Sequence, residues 1–231
     1  MRSAIVHRGK ILVIASLAIA IAFTLYVVIL NRKSTNMTIR QKLLKAIYPA
    51  LVYFNKKAGN HSLSVVNNGI APVTSLYSLK GVLSNGDLIP LESFRGKKIL
   101  FVNTASDCGY TNQYAELEQL YQENKDRLVI LAFPGNDFKN QERANDEKIA
   151  AFCKLNFGIT FPLMQKTVVI KGSQQNELFQ WLSHASSNGW NNQPPTWNFC
   201  KYLVDEKGWL THFFEPALSP TSKEILQAVN K

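Results

Sequence analysis

Cysteine is scarce in this sequence, and no two cysteines stand close together. The 231 residues include three, Cys108, Cys153 and Cys200, which are too scattered for a disulfide framework. The C-x-x-C spacing that dithiol exchange requires is absent. The four histidines are equally dispersed, which predicts no metal site built from closely spaced ligands, and nothing in the sequence indicates another cofactor.

Acidic residues are missing from the first part of the chain. Residues 1–86 hold 11 Lys and Arg and no Asp or Glu, whereas residues 87–231 hold 15 basic and 16 acidic residues. The net charge of +10 therefore comes from the N-terminal segment and not from a basic surface on the rest of the protein. We accordingly predict no nucleic-acid partner.

Charge of either sign is absent from Ile11 to Leu30, a run of 20 mostly apolar residues. A helix of this length extends for about 30 Å, which is enough to cross a bilayer. A removable signal peptide is the alternative, but its apolar core is usually about 7 to 15 residues long, and Arg32-Lys33 stands where cleavage would occur. We predict that residues 1–33 form a tail and an uncleaved single-pass anchor, which places the protein at a membrane in an orientation that the flanking basic residues leave open.

Residues 34–74 are predicted to form a basic amphipathic segment and a linker. Basic residues are interspersed there with apolar residues. The apolar residues recur at helical spacing and are Ile39, Leu43, Leu44, Ile47, Leu51 and Phe54. This pattern indicates either a helix held at the membrane interface by anionic headgroups or one that packs on the following domain. Pro49 is expected to kink this helix or divide it in two, and the Asn-, Ser- and Gly-rich residues 55–72 are typical of a linker.

Residues 75–231 show the pattern of one α/β domain. Two apolar runs, Lys98–Asn103 and Leu128–Phe133, lack polar alternation, which predicts parallel strands covered on both faces. The helical periodicity of Thr111–Asn124 between them completes a strand, helix, strand crossover. The dipeptide Asn85-Gly86 before these strands predicts a tight hairpin.

Further helices are predicted over residues 146–156, 175–184 and 220–229, and a second hairpin over residues 199–214. Together these elements predict a thioredoxin-like α/β fold. In this fold helices flank a central mixed sheet, and here a transmembrane helix would precede it.

Cys108 is the candidate nucleophile because it follows a buried strand at the predicted start of a helix. Unpaired amide N–H groups at a helix start favour an anion, so a thiol there can lose its proton near neutral pH. The neighbouring Asp107 opposes this ionisation. The alternative interpretation is a buried structural cysteine that behaves as a small apolar residue.

Four stretches of the sequence resemble the glutathione peroxidase family, and the resemblance extends over Tyr77–Val229. They are Asn103-Thr-Ala-Ser-Asp-Cys-Gly-Tyr-Thr111, Phe133-Pro-Gly-Asn-Asp-Phe-Lys-Asn-Gln-Glu142, the helix around Cys153 that ends towards Phe161-Pro162, and Trp197-Asn-Phe-Cys-Lys-Tyr-Leu-Val204. The resemblance implies a peroxidase that takes part in the response to oxidative stress.

The resemblance implies a catalytic group of Cys108, Gln141, Trp197 and Asn198, in which the cysteine attacks a hydroperoxide. Attack on the O–O bond expels a hydroxide or alkoxide, and the other three side chains offer uncharged donors to the developing charge. The alternative interpretations are a core aromatic for Trp197 and a turn residue for Asn198.

Cys153 is the implied resolving cysteine, because the thioredoxin-dependent members of the family carry theirs in this helix. A sulfenic acid on Cys108 would then form a disulfide with Cys153, after partial unfolding of the helix, and thioredoxin or glutathione would reduce it. Packing of Cys153 in the core is the alternative. The family's long subunit-contact insertion is absent before Trp197, which favours a monomer.

The sequence departs from the family at Gly135 and Asp137, where a Cys and a Gln are usual. The carboxylate of Asp137 is expected to add negative charge near the thiol.

Two other functions share the predicted fold. One is a membrane-tethered disulfide oxidoreductase or peroxiredoxin, and the other is a binding domain without catalysis.

Overall fold

The computed structural model describes residues 2–57 and 64–231, with side chains for residues 14–55 and 64–231. Residues 11–13 of the predicted membrane helix therefore lie outside the described side chains, and residues 58–63 of the predicted linker lie outside the described residues altogether.

The chain begins with two helices, α1 (Arg2–Leu30) and α2 (Ile39–Lys57), which pack as a hairpin. Asn31 holds the turn between them, because its Nδ2 donates to the carbonyls of Val27 at 2.8 Å and Lys42 at 3.3 Å. α2 continues through Pro49, so the predicted break does not occur. Ala46 and Tyr48, both buried just before the proline, hold this part of the helix on the domain.

Among the residues that the structure describes, no helix has the length and apolarity needed to cross a bilayer. The predicted transmembrane helix is therefore not supported.

Seven strands follow in chain order, namely β1 (Ser64–Val66), β2 (Lys80–Val82), β3 (Leu88–Pro90), β4 (Lys98–Thr104), β5 (Leu128–Pro134), β6 (Lys201–Val204) and β7 (Leu210–Phe214). The helices among and after them are α3 (Gln113–Asn124), α4 (Asp146–Phe157), α5 (Glu177–Ser183), α6 (Ala185–Asn188) and α7 (Lys223–Asn230). Short 3-10 helices occupy Leu76–Ser78 and Leu91–Phe94.

Five strands form the main sheet, in the order β1-β7-β6-β4-β5, and β2 pairs with β3 as the predicted first hairpin. β4 and β5 are parallel, whereas the other pairs are antiparallel, so the sheet is mixed as predicted. β4 lies inside the sheet and β5 at its end, so only one of the two predicted central strands is central.

Alternate residues of β4 enter two apolar cores. Leu100 and Val102 pack with α3, α4 and α7 on one face, whereas Ile99 and Phe101 pack with α5 on the other. Every residue of β4 is buried, which explains why the sequence of this strand shows no polar alternation. This two-sided packing fixes the carboxyl end of β4, where the candidate site begins.

One strand was missed by the sequence analysis. β1 lies in the segment predicted as a linker, and it pairs antiparallel with β7 at the edge of the sheet. Val65 and Val66 are about half exposed and only three residues are involved, so there is no periodic pattern to detect. The pairing depends on backbone hydrogen bonds to β7 and hardly on the side chains.

Candidate active site

Cys108 lies in a tight turn between β4 and α3 that its neighbour Thr111 organises. The Thr111 hydroxyl accepts a hydrogen bond from the Cys108 amide at 3.0 Å and donates to the Ala105 carbonyl at 2.9 Å. The amide of Tyr110 donates to the Cys108 sulfur at 3.4 Å. The turn thus supplies the thiol with one backbone donor.

The predicted position of Cys108 at a helix start is wrong, because α3 begins only at Gln113. Burial raises the pKa of the Cys108 thiol above its ordinary value. Hydrogen bonds from the Tyr110 amide and from Trp197 and Asn198 act in the opposite direction. The residue is only 1% exposed, so the low pKa expected from the sequence is not found in this arrangement.

The structure brings the four predicted site residues together. The side chains of Trp197 and Asn198 both lie close enough to the Cys108 thiol for their hydrogen-bond donors to lower its pKa. Asn198 Nδ2 also donates to Gln141 Oε1 at 2.9 Å, so Gln141 joins the group through Asn198. Asn198 is fully buried, Gln141 nearly so and Trp197 half-buried. The sulfur is therefore in contact with uncharged donors that are themselves held in place.

Asn103, the penultimate residue of β4, positions the Trp197–Asn198 segment. Its Nδ2 donates to the Trp197 carbonyl at 2.9 Å, and its own carbonyl accepts from the Phe199 amide at 2.6 Å. Phe199 has a φ of 73°, a conformation that non-glycine residues rarely adopt. The two hydrogen bonds hold this strained turn and direct Asn198 towards the thiol.

Glu142 connects the loop of Gln141 to the turn of Cys108. Its Oε2 accepts hydrogen bonds from the amide and the hydroxyl of Ser106, both at 2.7 Å. A backbone hydrogen bond of 3.1 Å from Asp107 to the Gln141 carbonyl joins the same two segments. Glu142 is 1% exposed, and burial raises the pKa of its carboxyl to about 7.

α2 covers this site. Three of its residues and one just before it line a cavity of about 10 Å³ beside Cys108, together with parts of the Cys108 turn and of α4. The residues from the α2 side are Met37, Gln41, Leu44 and Lys45. A second cavity of about 710 Å³ lies between the start of α2, the Gln141 loop and α4.

Within residues 2–57 and 64–231, no group of three His, Cys, Asp or Glu side chains is placed to hold a metal ion.

Comparison with known proteins identifies the family. The glutathione peroxidase profile matches residues 76–183, which include Cys108 and Gln141. The chain is 39% identical over 163 residues to glutathione peroxidase-like peroxiredoxin HYR1 of Saccharomyces cerevisiae, an alignment that covers 68% of this chain and 99% of that protein. The chain belongs to the glutathione peroxidase family. It is a peroxidase, and the family implies a hydroperoxide substrate and a thiol reductant.

Two further comparisons agree. Glutathione peroxidase homolog BsaA of Staphylococcus epidermidis is 42% identical over 147 residues, which cover 63% of this chain and 92% of that protein. The crystal structure of Trgpx in apo form aligns with a TM-score of 0.53 and 30% sequence identity, over 69% of this chain and 97% of that chain. The thioredoxin-like fold predicted from the sequence is thus confirmed.

The two departures from the usual glutathione peroxidase motif are structurally coupled. The carboxylate of Asp137 accepts a hydrogen bond from the Val169 amide at 3.0 Å. A Cβ atom at Gly135 would stand 3.1 Å from that carboxylate and 3.3 Å from the Thr167 carbonyl, which is tight. Asp137 is therefore engaged with the Val169 segment, and it is not among the groups that shift the pKa of Cys108.

The other two cysteines are free and buried, as is Cys108. Cys153 lies on α4 in the core beneath the site, where burial raises its pKa to about 12 and the Tyr114 side chain lies beside it. Cys200, just before β6, accepts a hydrogen bond from the Thr196 amide at 3.3 Å. This buried, hydrogen-bonded position indicates a structural role for Cys200.

The sequence analysis missed three contributors to the site. Asn103 is the first residue of one quoted motif and Glu142 the last residue of another, and this position is their signal in the sequence. Packing of the α2 segment on the following domain was one of the two predicted alternatives, but its contacts with the Cys108 turn had no signal because they join residues more than 50 positions apart.

Substitution of the buried Glu142 should change how stability depends on pH. The folded-state pKa of about 7 exceeds the ordinary 4.5, so between these values the folded protein holds a proton that the unfolded chain has lost. The free energy of unfolding should therefore fall by up to about 3 kcal/mol as pH rises through this window. We expect Glu142→Gln to remove this contribution in urea unfolding between pH 5 and 8.

The exposed Glu147 on α4 offers a matched control for that substitution. Glu147→Gln should retain the pH dependence of the wild type. Parallel curves for the wild type and Glu142→Gln would contradict the assignment of the pH dependence to Glu142.

Proposed function

We propose that this chain reduces hydrogen peroxide and organic hydroperoxides through Cys108 as the peroxidatic cysteine. The observation that carries the proposal is the convergence of three uncharged groups on the sulfur, namely the Tyr110 amide and the side chains of Trp197 and Asn198. Uncharged donors stabilise a thiolate and a leaving oxygen without introducing a cation that would hold the sulfur in an ion pair.

The proposed reaction begins with attack of the Cys108 thiolate on one oxygen of the peroxide. An S–O bond forms as the O–O bond breaks, so the sulfur is oxidised to sulfenic acid and the second oxygen leaves with the electron pair. That oxygen takes up a proton and departs as water or an alcohol. Asn198, held by Gln141, is placed to donate a hydrogen bond during this charge transfer.

Substitution of the proposed nucleophile gives the first test. We expect Cys108→Ser to abolish peroxide consumption, because a hydroxyl cannot supply the thiolate. The control is Cys200→Ser, which removes another buried thiol but keeps an acceptor for the Thr196 amide, and circular dichroism should confirm that both variants are folded. Peroxide consumption by Cys108→Ser at the wild-type rate would contradict the proposal.

We propose that Cys153 resolves the sulfenic acid. Its thiol sulfur would bond to the Cys108 sulfur with loss of water, and a dithiol reductant such as thioredoxin would then reduce the disulfide and become oxidised itself. In glutathione-dependent turnover two glutathione molecules would replace the dithiol. Because Cys153 is fully buried in α4, beside Tyr114, this step requires partial opening of that helix.

Mass spectrometry and steady-state turnover together test the resolving role. Peroxide treatment of the wild type should produce a Cys108–Cys153 disulfide. Cys153→Ser should retain the first oxidation of Cys108 but lose turnover with thioredoxin, because no disulfide can form. Cys200→Ser should behave as the wild type, and thioredoxin-dependent turnover that survives in Cys153→Ser would show that another group reduces the sulfenic acid.

We also propose a monomer located at a membrane surface. α1 exposes apolar side chains along the described residues 14–30, and α2 exposes Ile39, Leu43 and Ile47, four residues apart, on its outer side. Lys42 and other basic residues among them favour anionic headgroups. The absence of the family's long subunit-contact insertion before Trp197 supports the monomer.

Flotation with lipid vesicles tests the location. The full chain should float with vesicles that contain phosphatidylserine, and raised salt should weaken binding. Leu43→Asn combined with Ile47→Asn should reduce binding, since both changes replace exposed apolar surface with polar surface. Failure of the wild type to float at low salt would contradict the proposal, and sedimentation would determine the oligomeric state.

A further inference from the structure

α2 is attached to the residues that immediately precede Cys108. The Gln41 side chain donates from Nε2 to the Ser106 carbonyl at 2.9 Å. Beside it Arg40 Nε forms an ion pair with Asp107 Oδ1 at 3.3 Å. Both bonds reach the Cys108 turn from the first turn of a helix that lies outside the family match at residues 76–183.

The same helix also contacts the residues that follow Cys108. Asn55 Nδ2 donates to the Tyr110 hydroxyl at 3.1 Å. A Cβ atom at Gly109 would stand 3.5 Å from Leu51 Cδ1, so Leu51 lies directly against this backbone. α2 thus spans the turn on both sides of the thiol.

This cover leaves very little room at the sulfur. The cavity beside Cys108, about 10 Å³, has space for about one water molecule, whereas the neighbouring cavity is about 710 Å³. Gln41, Ser106 and Phe152 line both cavities. The hydrogen bond between Gln41 and Ser106 therefore stands between a space that would hold a large peroxide and the atom that would reduce it.

We propose that α2 is a lid over Cys108, that the Gln41–Ser106 hydrogen bond and the Arg40–Asp107 ion pair form its latch, and that opening the latch admits organic hydroperoxides. The inference rests on the proposed role of Cys108 as the peroxidatic cysteine. In the closed arrangement only molecules of about the size of water reach the thiol. The lid therefore determines which peroxides react.

Opening the lid should also make the thiol a better nucleophile. Burial is the largest cause of the raised pKa of Cys108, and α2 supplies part of that burial through Leu44, together with Met37 just before the helix. With α2 displaced, water would reach the sulfur while the donors from Tyr110, Trp197 and Asn198 remain. Access and ionisation of the thiol would then change together.

The latch is weak enough to open. Arg40 and Asp107 have side-chain exposures of 60% and 35%, and solvent-exposed ion pairs contribute little to stability. Ile39 and Leu43 are exposed on the outer side of α2, so this face of the helix is uncovered near the latch.

Alkylation of Cys108 in the full-length protein tests the lid. Arg40→Glu places a second negative charge beside Asp107 and should open the latch, and Gln41→Ala removes the hydrogen bond to Ser106. We expect each change to accelerate iodoacetamide labelling of the Cys108 peptide, measured by mass spectrometry, by at least about fivefold. In Gln41→Ala, which changes no charge, the pH midpoint of labelling should also move downwards, which a merely structural role of α2 would not cause.

Two further variants provide controls. Arg40→Lys should keep the ion pair and the wild-type labelling rate. Arg32→Glu reverses the charge of another exposed arginine, on the turn between the two helices, and should leave labelling unchanged. Thermal unfolding of each variant excludes loss of structure as the cause of faster labelling.

Peroxide selectivity completes the test. Arg40→Glu should increase the rate with cumene hydroperoxide at least about fivefold more than the rate with hydrogen peroxide. Unchanged labelling together with an unchanged ratio of the two rates would overturn the lid. Faster labelling without consumption of either peroxide would support the lid and contradict the proposed peroxidatic role of Cys108.

Discussion

The hydrogen bonds of Asn103 are the interaction on which the site depends. β4 is buried on both faces and paired on both edges, so its carboxyl end is fixed in space. The Cys108 turn follows from this end by chain connection, whereas the Trp197–Asn198 segment, which precedes β6, is held against it by the hydrogen bonds of Asn103. Loss of this contact would leave both parts of the site folded but would free the donors from the sulfur.

Burial of the nucleophile opposes the chemistry that the nucleophile performs. A desolvated thiol holds its proton, and a cation close enough to offset this effect would also stabilise the thiolate against attack on the peroxide. The site instead places a backbone amide and two neutral side chains on the sulfur. The nearby acid, Glu142, has a raised pKa and binds Ser106, so it holds the turn while its own negative charge is suppressed at lower pH.

The parts that the sequence predicted are those whose signals are local. β4, β5 and α3 have apolar patterns that reflect their own burial, and the four site residues stand in short motifs. β1 could not be predicted because its pairing depends on the backbone of β7. The raised pKa of Cys108 could not be predicted either, because it arises from packing, and part of that packing comes from α2, which is about 60 positions away in sequence.

Opening of the α2 lid and opening of α4 for the resolving step both involve the surface on which α2 packs. Besides the Cys108 turn, α2 and the segment before it contact α4, through Lys45 above the Phe157 ring at 5.8 Å and the Thr35 amide, which donates to Asn156 Oδ1 at 3.0 Å. α4 carries Cys153. Displacement of α2 would therefore remove stabilising contacts from the helix that has to open for a disulfide to form. A lid that opens for the peroxide would also lower the energy required for the resolving step, so oxidation and resolution would be linked through the same helix.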